Sequence, residues 1–344
     1  MTTALSRLVN WITRQQLNFS TRLAAARRAW SGQITQPKHD RRRLLILANE
    51  AGWAFDELAQ QRQRHLAGSW DVDILYLREN PQVDPSQYDL MFNPNWGYCD
   101  YDRLFYRKYI RGINSHKWQR SSTPLRTLQS CLHGALACFV PNKAQLAAMQ
   151  PAFPATFLVT EGIDPGTFHW LKDRTNTDLV VGWSGNQSNN YKRLETVIKP
   201  ACAQSGVELR IGECPTRKEL NEFYNDVDLV LIGSEPLYEG NPLSLFEAGA
   251  SGRTVLATNV GCVPEIVEDR VNGLIVESTL DNEKTIRAFV ERLKWCKENV
   301  SEVRAMGKRH MERVLAERTP EKTCETFRQA LEWAYAHRVQ HRVQ

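Results

Sequence analysis

No two of the eight cysteines (Cys99, Cys131, Cys138, Cys202, Cys214, Cys262, Cys296, Cys324) stand at C-x-x-C spacing. Scattered thiols in a sequence that opens without a signal-peptide pattern exclude a disulfide framework and predict a reducing compartment, the cytosol by default. No apolar run approaches the ~20 residues that cross a bilayer. There is no internal repeat and no low-complexity block, which excludes a solenoid. Strong charge is lacking too: 44 basic against 39 acidic residues leave a net charge of +5. An anionic small substrate accounts for that balance as well as a nucleic acid does. Acidic residues are absent before Asp40, whereas Arg7, Arg14, Arg22, Arg27 and Arg28 fall in the same stretch. Leu5, Leu8, Val9 and Ile12 repeat there at helical spacing, with Trp11 and Trp30 nearby. Residues 1–39 therefore read as a basic amphipathic helix on an anionic membrane surface, as a helix packed on the body, or as a flexible leader.

What is present is an alternation of short apolar runs with helical patterns. At 344 residues the chain is comfortable as two domains. Strands are expected at Arg43 to Asn49, Val72 to Leu77, Tyr88 to Asn93, Ile110 to Asn114 and Ala135 to Val140, with a crossover helix from Asp56 to Leu66. A second series opens at Leu179 and runs to about Val276, after a join punctuated by Pro151, Pro154, Pro165, Gly162 and Gly166. Strands alternating with helices imply an α/β fold with doubly wound parallel sheets. From Glu283 onward the pattern predicts two or three helices, broken near Thr319 and Pro320.

One stretch concentrates chemistry. Between two strand runs, Val227 to Ile232 and Arg253 to Thr258, the chain reads Tyr238-Glu239-Gly240-Asn241-Pro242-Leu243-Ser244-Leu245-Phe246-Glu247. Asn241 suits an N-cap and Pro242 a first helical residue. A helix start there offers unpaired N–H groups and partial positive charge to a phosphate. Glu239 lies just outside that start, and Glu247, about one and a half turns inside, could accept two hydrogen bonds from a sugar diol. Upstream, Ser184, Gly185, Gln187 and Lys192 form a small-residue and amide loop where backbone could approach a diphosphate, with a cation to balance its charge.

With its flanks, from about Val159 to Val276, this pattern resembles the donor-site signature of retaining glycosyltransferases of family 4, the glycosyl transferases group 1. The resemblance implies the GT-B fold: two Rossmann-like, doubly wound domains facing across a cleft. It implies residues 1–40 as a basic extension, 41–165 as an acceptor domain, 166–318 as a nucleotide-sugar donor domain, and 319–344 as a helix returning to the first domain. It assigns the nucleotide ribose to Glu247 and the transferred sugar to Glu239. Lys192 matches the family's diphosphate lysine. The family's arginine, about five residues earlier, is replaced by Gln187 or a neighbouring amide, with Arg193 one candidate to compensate. His116 stands where a family histidine reaches the donor sugar, and a surface loop position is its alternative. Gly52 and Trp53 resemble the loop after the first strand, with Gly52 admitting close approach and Trp53 stacking on the acceptor or anchoring in the core. Gly212 belongs to the segment beside the nucleotide base, and Glu161 replaces the asparagine of an interdomain Asn-Gly-Ile-Asp turn.

The expected activity is metal-independent transfer of a hexose, with retention, from a nucleotide diphosphate sugar to a saccharide or lipid-linked acceptor. No cofactor is expected. Asp71-Val-Asp73 and Asp226-Val-Asp228 have the spacing of metal-holding pairs, but both border strand runs. The scattered thiols would place the enzyme in the cytoplasm, and the basic extension would allow peripheral contact with the inner membrane face. The same features leave open glycosylation of a nucleic-acid base, or a catalytically silent GT-B subunit that partners another enzyme.

Overall fold

A computed structural model describes residues 41–52, 54–95, 99–175, 177–214 and 216–338. The basic extension, expected to contact a membrane, and Trp53, expected to meet the acceptor, lie outside the described residues. The first sheet is built from β1 (Arg42–Ala48), β2 (Trp70–Tyr76), β3 (Leu90–Asn93), β4 (Tyr109–Gly112), β5 (Ala135–Val140) and β6 (Thr156–Leu158). Its order is β2-β1-β3-β4-β5-β6, and every pairing is parallel. The second sheet holds β7 (Val180–Ser184), β8 (Glu208–Gly212), β9 (Leu229–Ile232), β10 (Thr254–Thr258) and β11 (Leu274–Val276). It runs β11-β10-β9-β7-β8, again all parallel.

Parallel strands covered on both faces need apolar residues at every position, because alternate side chains enter different cores. In β9 all four residues are buried: Val230 and Ile232 enter one core with Tyr224 and Phe246, Leu229 and Leu231 the other with Trp183 and Phe289. In β1, Leu44 and Ile46 likewise part from Leu45 and Leu47. The doubly wound α/β arrangement expected from the sequence is the one that forms. β6 and the short helices Asp100–Leu104 and Pro124–Cys131 were not anticipated, being too brief to show a period.

Three helices close the chain, Asn282–Glu298, Val300–Glu317 and Pro320–His337. Phe327, Leu331 and Ala334 of the last enter the core of the first sheet beside Ile46, Phe92 and Phe139. Phe327 meets Phe92 and Phe139 edge-on at 5.1 and 5.4 Å. This helix follows the second sheet in sequence and packs on the first. No helix among the described residues is long and apolar enough to cross a membrane.

The helix Leu243–Ala250 needs small residues on its back because Val300–Glu317 crosses it closely. A Cβ on Gly249 would lie 2.6 Å from Val314 and 3.0 Å from the His310 ring. His310 is fully buried, with Nδ1 3.0 Å from the Arg253 carbonyl. Burial pushes its pKa down to about 4, against a smaller opposing pull from that carbonyl. An unfolded chain takes up the proton near pH ~6.5, whereas the native ring resists it. The contribution is therefore complete above the unfolded value and shrinks as pH falls between the two. Urea midpoints measured from pH 7 to pH 4 should drop, with His310 accounting for on the order of 3 kcal/mol. The His310→Gln variant should show a flatter profile.

Candidate functional site

In the second sheet, strand order reverses between β7 and β9, so the crevice of an open α/β sheet lies outside their carboxyl ends. The two loops leaving those strands carry the residues singled out from the sequence. After β7, Gly185 makes room for a lysine stem: a Cβ there would lie 3.2 Å from Lys192 Cδ. After β9, the loop 235–240 bends through Leu237 in the left-handed region, a conformation that non-glycine residues adopt only where surroundings impose it.

The loops meet in an ion pair. Lys192 Nζ donates to Glu239 Oε1 at 3.0 Å, and Ser234 Oγ donates to the same oxygen at 3.2 Å. Burial, the largest single influence, would lower the lysine pKa, but Glu239, Tyr191 and Glu247 together raise it and hold the ammonium protonated. Tyr191 and Tyr238 stack at 5.0 Å beside this pair. Arg120, from the first domain, lies 4.4 Å above Tyr238 and bonds Glu235 at 3.1 Å.

Glu247 lies in the second turn of Leu243–Ala250 and is 5% exposed. Tyr224 OH donates to its Oε2 at 2.7 Å, and Arg217 Nη1 to its Oε1 at 2.8 Å. Since the phenol has one proton and spends it on the carboxylate, Ser184 Oγ, 2.7 Å away, must donate to Tyr224. Ser184 thus supports the Glu247 carboxylate through Tyr224. Gly212, at the end of β8, packs against Phe223, where a Cβ would meet the ring at 2.9 Å.

The helix start differs from the expectation. Pro242, not Asn241, occupies the N-cap position, and no side chain caps Leu243–Ala250. Asn241 is buried and turned elsewhere: its Nδ2 donates to Glu161 Oε2 at 2.9 Å and its Oδ1 faces the Cys262 thiol at 3.1 Å. A charged partner in the interior outcompetes a cap that solvent could replace. Leu243 and Ser244 are half-buried at the uncapped end.

Arg193 does not compensate for the missing diphosphate arginine. It is 2% exposed, with its guanidinium bound to the carbonyls of Gly233, Ser234 and Thr279. Gln187 is exposed and donates to Glu213 at 2.6 Å. Lys192 is left as the cation of this loop that reaches the two carboxylate-bearing segments.

From the first domain, His116 is 8% exposed, beside Gln119 and Asn142; burial lowers its pKa, so the ring is neutral at pH 7. Its neighbour Asn142 crosses the cleft, donating to the Gly240 carbonyl at 2.9 Å, while Cys262 N donates to that oxygen at 3.0 Å. Gly240 touches the first domain so closely that a Cβ would lie 2.3 Å from the Asn114 carbonyl oxygen. Gly52 is exposed, has φ +79°, and is tied by its N–H to Asp56 at 2.7 Å. His116 thus lies next to the Gly240 contact, and Gly52 marks the loop after β1.

Tyr224, Arg217, Asn142 and Ser234 escaped the sequence reading. For Arg217 a signal existed: Thr216 and Glu219 form a capping box, which fixes a helix start directly after β8. The acidic triplets are engaged by cations. Asp228 meets Arg174 and Arg304 at 2.9 Å each, and Asp73 meets Arg43 at 2.6 Å. Two surface cavities of about 500 and 760 Å³ share Tyr106 and His133 and lie where the chain enters β4 and β5, the end of the first sheet away from this site.

Residues 168–312 match the model of the family Glycosyl transferases group 1. No curated protein compared with the sequence matches it. Solved structures resemble the whole described body. A sucrose-phosphate synthase from Thermosynechococcus elongatus superposes with a TM-score of 0.67 at 16% identity, covering 86% of this chain and 100% of the other. Anabaena HepE, in complex with UDP-glucose, gives 0.62 at 14%, with 85% and 99% covered. TarM of S. aureus, in complex with UDP and α-GlcNAc-glycerol among other ligands, gives 0.57 at 16%, with 74% and 57% covered. The chain has the GT-B fold.

The Gly240 contact is testable without a substrate. Gly240→Ala drives a methyl group into backbone that has no rotamer with which to yield, a strain on the order of 1–3 kcal/mol. The denaturation midpoint should fall, and small-angle scattering should report a larger radius of gyration.

Proposed function

We propose that this chain, whose residues 168–312 carry the Glycosyl transferases group 1 domain, is a retaining, metal-independent hexosyltransferase that uses a nucleoside diphosphate sugar. The observation that carries the reading is the pairing of Lys192 with Glu239 beside a buried, oriented Glu247, all at the carboxyl ends of β7 and β9. Glu247 suits a ribose diol, Glu239 the hydroxyls of the transferred hexose, and Lys192 the diphosphate. UDP-glucose bound to HepE on the same fold supports a nucleoside diphosphate hexose as donor.

Chemistry then follows from charge. As the bond from the anomeric carbon to the diphosphate oxygen breaks, negative charge gathers on the phosphate. Lys192 and the uncapped start of Leu243–Ala250 stabilise it there. A helix terminus contributes typically about 0.3–1 kcal/mol, less than a buried ammonium. The acceptor hydroxyl attacks from the face the leaving group has just vacated. Its proton passes to the departing phosphate oxygen, so no protein base is needed and configuration is retained. Neutral His116 suits a hydrogen bond to a sugar hydroxyl and is poorly suited to acting as a base. Without a second cation in the loop, diphosphate affinity rests on Lys192. The acceptor is a saccharide hydroxyl, free or lipid-linked, entering from the first domain past the loop that holds Gly52; TarM with α-GlcNAc-glycerol supports a glycosidic product.

A panel of nucleotide sugars in thermal-shift assays should single out one donor, since a ligand that binds the native state raises its melting temperature. Lys192→Ala should lower kcat roughly 10²–10³-fold. Glu247→Ala should abolish the donor-induced shift. Proton NMR of the nascent linkage should show the donor's own anomeric configuration, and activity should persist in excess EDTA. An inverted centre would refute the retaining mechanism; loss of activity reversed by manganese would refute metal independence.

A further inference from the structure

Arg217 does more than touch Glu247. Its Nη1 lies 2.8 Å from Glu247 Oε1 and its Nη2 lies 2.6 Å from Glu57 Oε2. Glu57 belongs to the first turn of the helix Ala54–Leu66 in the other domain. One guanidinium therefore joins two carboxylates across the cleft. We propose that Arg217 and Glu57 are positioning residues for the donor: Arg217 fixes the plane of the Glu247 carboxylate, and Glu57 fixes Arg217 from the acceptor domain, so that nucleoside affinity depends on contact between the domains. This rests on Glu247 as the ribose ligand.

The geometry supports it through lone pairs. An ionised carboxylate has about four acceptor sites, two on each oxygen. Tyr224 takes one on Oε2 and Arg217 one on Oε1. One site remains on each oxygen, the arrangement that a vicinal diol requires. Without Arg217 the carboxylate is held from one side only and can rotate away. The bridge also needs arginine in particular: a planar fork can serve two anions at once, whereas an ammonium is a single point charge. The helix that carries Arg217 is pinned at its first turn by the reciprocal bonds of Thr216 and Glu219, so the side chain departs from a rigid base. Glu57 is 22% and Arg217 32% exposed, a partly screened position where water can replace a lost partner. Loss of the Glu57 arm should accordingly weaken binding without unfolding the chain.

The test is a double-mutant cycle read by calorimetric titration with UDP on the full chain. Arg217→Ala should weaken UDP binding about tenfold or more, and Glu57→Gln about threefold. The double variant should bind like Arg217→Ala alone, because Glu57 acts only through Arg217. Arg217→Lys should recover part of the loss while becoming insensitive to Glu57→Gln. In steady state the Glu57→Gln loss should fall on the donor KM more than on kcat. UDP affinity unchanged in Glu57→Gln, or effects that multiply in the double variant, would overturn the proposal while leaving the transferase reading intact. A wild-type chain that binds none of UDP, GDP and ADP overturns the donor reading itself, and this inference with it.

Discussion

A carboxylate at 5% exposure is the constraint around which the second domain is arranged. Taking an ion out of water costs several kcal/mol unless partners replace the hydration. Glu247 meets that demand with a phenol, a guanidinium and, behind the phenol, a serine hydroxyl. Each partner comes from a different place: Ser184 from the end of β7, Arg217 and Tyr224 from opposite ends of one helix. The demand of a single buried charge therefore fixes the relative placement of three segments. It also explains why Tyr224, with its hydroxyl in the interior, keeps its proton: burial first and the adjacent carboxylate second raise its pKa well above the ordinary value.

The contrast with Glu239 is instructive. Its partners lie outside the longer helices, Lys192 at the end of a single 3-10 turn and Ser234 just after β9, and the pair is less buried. One carboxylate is held rigidly by secondary structure, the other by a loop that carries a left-handed leucine.

The sequence disclosed most strands of the two sheets, though not β6, because parallel strands covered on two faces read as unbroken apolar runs, as in Leu229-Val-Leu-Ile232. It disclosed the two glutamates because a turn, a proline and a helix start bracket them within ten residues. What it concealed is long-range. Arg217 and Glu57 are 160 positions apart, Asn142 and Gly240 98 apart, and no local pattern encodes such a meeting. The Asn241 cap failed for the same reason: local chemistry favoured it, but Glu161, 80 residues away, claimed the amide. Arg193 looked available from its neighbours, and only the fold shows its donors already spent on three carbonyls.

Glu161 itself turns the departure from an Asn-Gly-Ile-Asp turn into a structural argument. Burial raises the pKa of this carboxyl, while Arg62, the Asn241 amide and Arg318 pull it back. Arg62 lies over the rings of both Phe92 and Phe327, so its cation is anchored in the core of the first domain. Gly162 follows so tightly against the Arg318 carbonyl that a Cβ would lie at 2.5 Å. The join between the domains thus has a charged interior, tied through Asn241 to the residue beside Gly240. A join made of apolar contacts would tolerate small slips, because the hydrophobic effect has no direction. Hydrogen bonds to a buried carboxylate do not, since a lost partner leaves the charge uncompensated. The loop bearing Glu239 and Gly240 is consequently registered against the first domain by directional bonds on both flanks, Asn241 to Glu161 and the Gly240 carbonyl to Asn142.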